Sequence, residues 1–289
     1  MRDRIHAAAV IARRQIQETL LSPGLYVTLA LGLLLGAFLV RGFAASIDSS
    51  GFNPQLNPLY DLIARFLGGT FGGAFVGKLF SEGPYLFALL VSFAPVFAYL
   101  AIASVFRFGL EKTAGAVELL TYGPADGTAY VLGSFLKDVA LALLALLAIL
   151  VFLAVSAAAG NLVLGPLFFW ALPVVFLAAL AVCAYGILCS IIASNASSAL
   201  ALFLGVLLLF LLILAGSYSI ASAPVRSVST VAATVIQWIS PFFYTAMCFR
   251  GLQGGGAGAL LGGLGLLLAL AAALLAAGHA VISRKGVRA

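Results

Sequence analysis

The stretch GLEKTAGAVELLTYGPADGTAYVLGSFLKD, Gly109–Asp138, carries four acidic residues: Glu111, Glu118, Asp126 and Asp138. Lys112 and Lys137 stand beside two of them. Residues 108–120 suit a helix, on which Glu111, Gly115, Glu118 and Tyr122 fall at i, i+4, i+7 and i+11 and share a face. TYGPADG breaks that helix, since Gly and Pro punctuate. Asp126 is then placed to cap a second short helix, Gly127–Leu136. Carboxylates presented this way suit a docking surface for a partner. The plainer alternative is a solvated loop that reconnects two apolar runs, and periodicity leaves both open.

Other residues that could do chemistry fall short of it. GGAFVGK (Gly72–Lys78) nearly spells a phosphate-binding loop, but Leu79 stands where the pattern needs Ser or Thr to hold magnesium. The reading is a small-residue face or turn, and no nucleotide site is expected in this chain. The two histidines, His6 and His279, have no cysteine or carboxylate at a metal-site spacing. Cys183 and Cys189 share one apolar run and read, with Cys248, as core residues rather than as metal or redox ligands. Paired groups of an intramembrane protease are missing from the sequence, so no enzyme activity is expected.

The elements that hold these residues follow from composition. The chain has 289 residues, of which 64% are hydrophobic and 8% charged. A soluble domain carries about 25% charged residues, so this chain must be an integral membrane protein. Its formal charge of +6 comes from basic residues flanking apolar runs, which read as topology signals rather than as a nucleic-acid surface. Six runs are long enough to cross a bilayer: Gly24–Val40, Tyr85–Phe106, Val139–Ala159, Leu167–Ser190, Ala199–Ser217 and Ala257–Ile282. Backbone satisfaction in lipid makes them helices, and the fold class all-α.

With the N-terminus inside, the inner side holds Arg2, Arg4, Arg13, Arg14, Arg107, Lys112, Lys137, Arg284, Lys285 and Arg288. The outer side holds Arg41, Arg65, Lys78, Arg226 and Arg250, so both termini are expected in the cytoplasm. Span interiors hold essentially no ionisable group, with Lys137 and Asp138 at the inner end of the third. Carriers driven by protons or sodium keep such groups, so energy for any transport is expected from elsewhere.

Residues 1–23 form a helix with an apolar stripe of Ile5, Ala9, Ala12, Ile16 and Leu20, expected to lie along the inner surface of the bilayer. Pro23 and Gly24 turn the chain into the membrane. The six-span domain follows over 24–289, with an inner loop at 107–138 and longer outer segments at 43–83 and 219–256. The second outer segment reads as a short re-entrant or interfacial helix pair, with Trp238 and Tyr244 at headgroup level. Gly32/Gly36 and Gly258/Gly262 permit close helix contact, and Pro95 and Pro173 are expected to kink their spans.

EKTAGAVELLTYGPADGTAYVLGSFLKD resembles the signature of type-2 ATP-binding-cassette permeases: an acidic residue, G-x-x-E-L-L, a T-x-x-P turn, then V-L-G ahead of the next span. LLSPGLYV resembles the junction between that family's connecting helix and its first span. CSIIASNASSALALFLGVLLL resembles its fourth-to-fifth span junction. The start and the long first outer loop look most like the gliding-motility type. Ser134 departs from the family pattern, in which a basic residue often follows the glycine.

The resemblance implies the six-span half of an exporter in a bacterial inner membrane. It would work with a second copy or a related permease and with cytoplasmic ATPase subunits that bind ATP and Mg. Glu111, Glu118, Pro124, Asp126, Tyr130 and Lys137 would couple to the ATPase, and Ser194, Asn195 and Ser197 would form a second cytoplasmic turn. The alternative is a non-transport scaffold or sensor that recruits an ATPase for envelope remodelling or signalling.

Overall fold

A computed structural model describes residues 2–48, 51–71, 77, 79–80, 84–113, 127–160, 162–220, 237–252 and 256–285. Its helices are α1 (Arg2–Leu21), α2 (Pro23–Ala44), α3 (Pro58–Phe71), α4 (Tyr85–Thr113), α5 (Gly127–Ala159), α6 (Pro166–Ile192), α7 (Ala196–Ile220), α8 (Pro241–Arg250) and α9 (Ala257–Lys285). A hairpin of Ile47–Asp48 with Gly51–Phe52 and a short 3₁₀ turn at Pro54–Leu56 lie between α2 and α3. Six helices, α2, α4, α5, α6, α7 and α9, are long and apolar enough to cross a membrane. Each contains one of the six apolar runs of the sequence. The chain is an all-helical, multi-pass membrane protein.

The break between α1 and α2 falls at Ser22, whose hydroxyl accepts from the Gly24 amide at 3.4 Å, with Pro23 opening the next helix. Proline at the first turn costs no hydrogen bond, because that amide has no helical partner anyway. Pro95 and Pro173 sit inside the continuous helices α4 and α6.

The most enclosed span is α6, which packs against α4, α5, α7, α8 and α9. Around it, α2 lies on α4. A Cβ at Gly32 would fall 2.1 Å from the Ser92 carbonyl oxygen, and one at Gly36 would fall 2.3 Å from Ser92 Oγ. This glycine pair therefore serves a contact within the chain, where close backbone approach replaces the hydrophobic drive that lipid removes. The second pair is different: among the described residues, Gly258 meets nothing within 4 Å and Gly262 meets only Met247, at 3.7 Å.

On the side opposite α1, Phe43, Tyr60 and Phe80 form an aromatic knot, and the Tyr60 hydroxyl donates to the Leu39 carbonyl at 2.7 Å. Burial raises the Tyr60 phenol above its ordinary pKa. Of the expected outer helix pair, α8 is described; residues 221–236 and most of Gly72–Lys78 lie outside the described residues. Trp238 is exposed, but Tyr244 is buried. Its hydroxyl donates to the Trp238 carbonyl at 2.5 Å, folding the segment onto itself, so it is a packing residue instead. Cys183, Cys189 and Cys248 are free and buried, as core residues should be.

Candidate functional site

Two helices meet where the segment between the second and third spans leaves and rejoins the bundle. On α1, Ala8, Ala12, Gln15 and Thr19 are buried, at spacings of four, three and four. They lie against the first turns of α5. Gly133 makes that approach possible: a Cβ there would come within 2.9 Å of the Ala8 carbonyl oxygen and of Ile11. The glycine of V-L-G thus has a packing reason.

The protein-facing side of α1 is rotated from the apolar stripe of the sequence. Ile5 and Ala9 are exposed, Ile16 and Leu20 half-buried, and only Ala12 belongs to both sets. Small and polar residues win the contact because α5 offers a glycine and a tyrosine hydroxyl there.

A polar cluster ties α1, α4 and the start of α5 together. Gln15 Nε2 donates to the Tyr130 hydroxyl at 3.2 Å, and that hydroxyl donates in turn to the Glu111 carboxylate. Arg107 bridges the set: its Nε pairs with Glu111 at 3.3 Å, its Nη2 with Glu18, and its Nη1 reaches the Gln15 carbonyl at 3.5 Å. Arg14 also pairs with Glu18, at 2.8 Å. One guanidinium therefore holds carboxylates from two helices, a use that suits its fixed fork of donors. Tyr130 is buried edge-on against Phe108, with ring centroids 5.3 Å apart. Beneath it, Val131, Ile187, Ile191 and Ile282 complete a small apolar cluster.

The other flank of α4 touches the turn between α6 and α7. Lys112 Nζ donates to the Ala193 carbonyl at 2.9 Å, and Gly109 lies against Ala196, where a Cβ would fall 2.8 Å from Cα. Asn195 caps α7, its side chain accepting from the Ser198 amide at 2.8 Å. Ser194, Asn195 and Ser197 are all exposed. The last turns of α4 are thus gripped between α1 and α5 on one side and the exposed turn on the other.

Of the expected coupling residues, Glu111 and Tyr130 are brought into contact. Glu118, Pro124 and Asp126 lie outside the described residues, which stop at 113 and resume at 127. The expected helix Gly127–Leu136 is the first part of α5, continuous with the span. Lys137 is not on the inner loop. It is 2% exposed and lies 2.8 Å from Asp138 Oδ1, inside the bundle. Helical phase explains this, since α5 begins ten residues earlier and carries Lys137 on the same packed side as Tyr130 and Ser134.

Sequence reasoning missed Gln15, Glu18 and Arg107 as members of the site. Arg107 and Glu111 are four apart on one helix, a readable pairing signal. Gln15 and Glu18 carried no signal before the docking of α1 was known. Among the described residues, no group of three or more His, Cys, Asp and Glu side chains is placed to hold a metal. No family model and no curated protein matches the chain.

Proposed function

We propose that this chain is the membrane-spanning permease subunit of an ATP-driven exporter in a bacterial inner membrane, energised by a separate cytoplasmic ATPase that binds ATP and Mg. The observation that carries the reading is the cluster of Arg107, Glu18, Glu111, Gln15 and Tyr130. The segment 114–126 leaves α4 and rejoins α5 at this cluster, so a push on it is delivered to α1, α4 and α5 together. Coupling of this kind needs an element with two arrangements that a partner biases. Partly exposed ion pairs, each worth about 0–1 kcal/mol, are weak enough to rearrange. The resemblance of Gly109–Asp138 to the type-2 permease signature supports the same assignment.

The test is purification of the tagged chain from native membranes with its partners. The expected outcome is a co-purifying P-loop ATPase whose association falls when 124–126 is replaced by a Gly/Ser linker. Glu118→Ala is expected to leave membrane insertion intact and to lower substrate-linked ATP hydrolysis. An undiminished ATPase yield with the linker variant, together with unchanged coupling in Glu118→Ala, would reject the reading.

A further inference from the structure

The short helix α8 begins deep in the bundle, and two separate registers place its start. A Cβ on Gly251 would fall 2.6 Å from the Leu260 amide, and one on Gly263 would meet Cys248 and the Tyr244 carbonyl oxygen, so α8 and the start of α9 run antiparallel. Ser240, eleven residues before Gly251, then lies about 16 Å further in than Leu260 by the 1.5 Å helical rise. That is close to the middle of α9, which has 29 residues. The second register comes from the opposite end of the bundle, where Gly278 of α9 lies against Ile191 of α6. These are the sixth and fourth spans, which run the same way. Tyr185, six residues before Ile191, is therefore also level with the middle of α9, and its hydroxyl donates to the Ile239 carbonyl at 2.5 Å.

A helix that starts at such depth leaves its first amides without carbonyls, and the interior of a bilayer has no water to pair them. The acceptors at this break are spent. Tyr185 serves the Ile239 carbonyl, and the Tyr244 hydroxyl donates to the Trp238 carbonyl at 2.5 Å. The Ser240 amide donates to the Gln237 carbonyl at 3.0 Å, and the Phe243 amide to the Ser240 carbonyl at 3.2 Å. Proline has no N–H, so with Pro241 opening α8 the first amide of the helix belongs to Phe242. Ser240 holds the cap position, yet its side chain makes no capping bond. The residue is 3% exposed, and its Oγ has no hydrogen-bond partner among the described residues. What the break has left to offer is donors, at the positive end of a helix dipole.

The surroundings add no rival charge. The helices packed on α8 are α6, α7 and α9. Residues 166–192, 196–220, 237–249 and 257–283 contain no Asp, Glu, Lys or Arg. Beside the enclosed Ser240, Trp238 and Ile239 are exposed on the apolar surface of the bundle.

We infer that this break is a binding site for the anionic headgroup, phosphate or carboxylate, of an amphipathic molecule. The Ser240 hydroxyl and the Phe242 amide donate to a headgroup oxygen, and the apolar tail lies along the surface formed by Trp238 and Ile239. Half-helices that start at mid-depth receive anionic groups in this way, for the same reason that phosphates settle at helix N-termini. A free anion has no tail to carry it to that depth, which selects the amphiphile. The site is independent of the ATPase reading, since binding needs no partner subunit.

The chain has two tryptophans, so Trp170→Phe leaves Trp238 as the reporter beside the site. The full chain in dodecyl maltoside, a detergent without phosphate, is titrated with dodecyl phosphate, dodecanol and inorganic phosphate. The expected result is a saturable change in Trp238 emission with dodecyl phosphate alone. Ser240→Ala should raise the half-saturating concentration about tenfold or more, as loss of one hydrogen bond to a charged group requires, and Ser240→Thr should restore it. If Ser240→Ala fails to fold, the three titrations of the Trp170→Phe chain carry the test. Absence of a saturable response to dodecyl phosphate overturns the proposal. An equal response to dodecanol or to inorganic phosphate does so too, as does a response indifferent to Ser240→Ala.

Discussion

The Arg107 cluster and the Lys137–Asp138 pair share α5, yet they are opposite solutions to placing charge at the end of a bundle. In the cluster, charges from α1 and α4 meet across an interface with water at hand, and Tyr130 of α5 joins them through its hydroxyl. In the pair, both ionisable groups belong to one helix and are shut away from water. The first arrangement binds separate elements to one another and can be rewired cheaply. The second lies wholly on one helix and joins no other element through its ion pair. A half-open polar contact and an enclosed ion pair therefore lie within one stretch of α5, from Tyr130 to Asp138.

The largest expected effect that tests this contrast is on the buried pair. Asp138→Ala leaves Lys137 without its partner and is expected to cost about 3–5 kcal/mol, read as a lowered unfolding temperature in detergent. Replacing both residues, Lys137→Met with Asp138→Leu, should recover most of that loss, because a buried pair is often no better than apolar residues of similar volume. Failure of the double variant to recover would mean that the pair is structural in a way the contrast does not allow.

Next comes the glycine that admits α1. Gly133→Leu is expected to cost about 1–3 kcal/mol by overpacking and to loosen α1 from α5, as measured by loss of a disulfide cross-link between cysteines introduced at Ala8 and Ser134. Arg107→Gln should cost about 1 kcal/mol or less, and the difference from the parent chain should shrink as salt is raised, since half-exposed pairs are screened. The stability change of Asp138→Ala should be insensitive to salt. Smallest is Tyr130→Phe, expected at about 1 kcal/mol for one hydrogen bond, with the cross-link between α1 and α5 preserved.

Much of the architecture was legible because apolar runs of membrane length leave the backbone no choice but helix. The rotation of α1 was not legible. In a chain this apolar, a greasy stripe does not say which side meets protein and which meets lipid, because lipid tails are as apolar as leucine. Small and polar side chains settle the matter, and Ala8, Gln15 and Thr19 have meaning only once Gly133 and Tyr130 stand opposite. Tyr244 was misplaced for a related reason. An aromatic near a span end suits a headgroup, but its hydroxyl found the Trp238 carbonyl within the protein.

Composition and spacing by themselves determined the six spans, the turn at Pro23 and Gly24 and the polar character of Gly109–Asp138, since these depend on local hydropathy and backbone demand. Only the tertiary structure decided that Arg107 holds Glu18 against Glu111, and that Lys137 and Asp138 lie inside the bundle rather than on its loop. Those facts depend on which faces of three helices meet, and a single helix pattern carries no information about its neighbours.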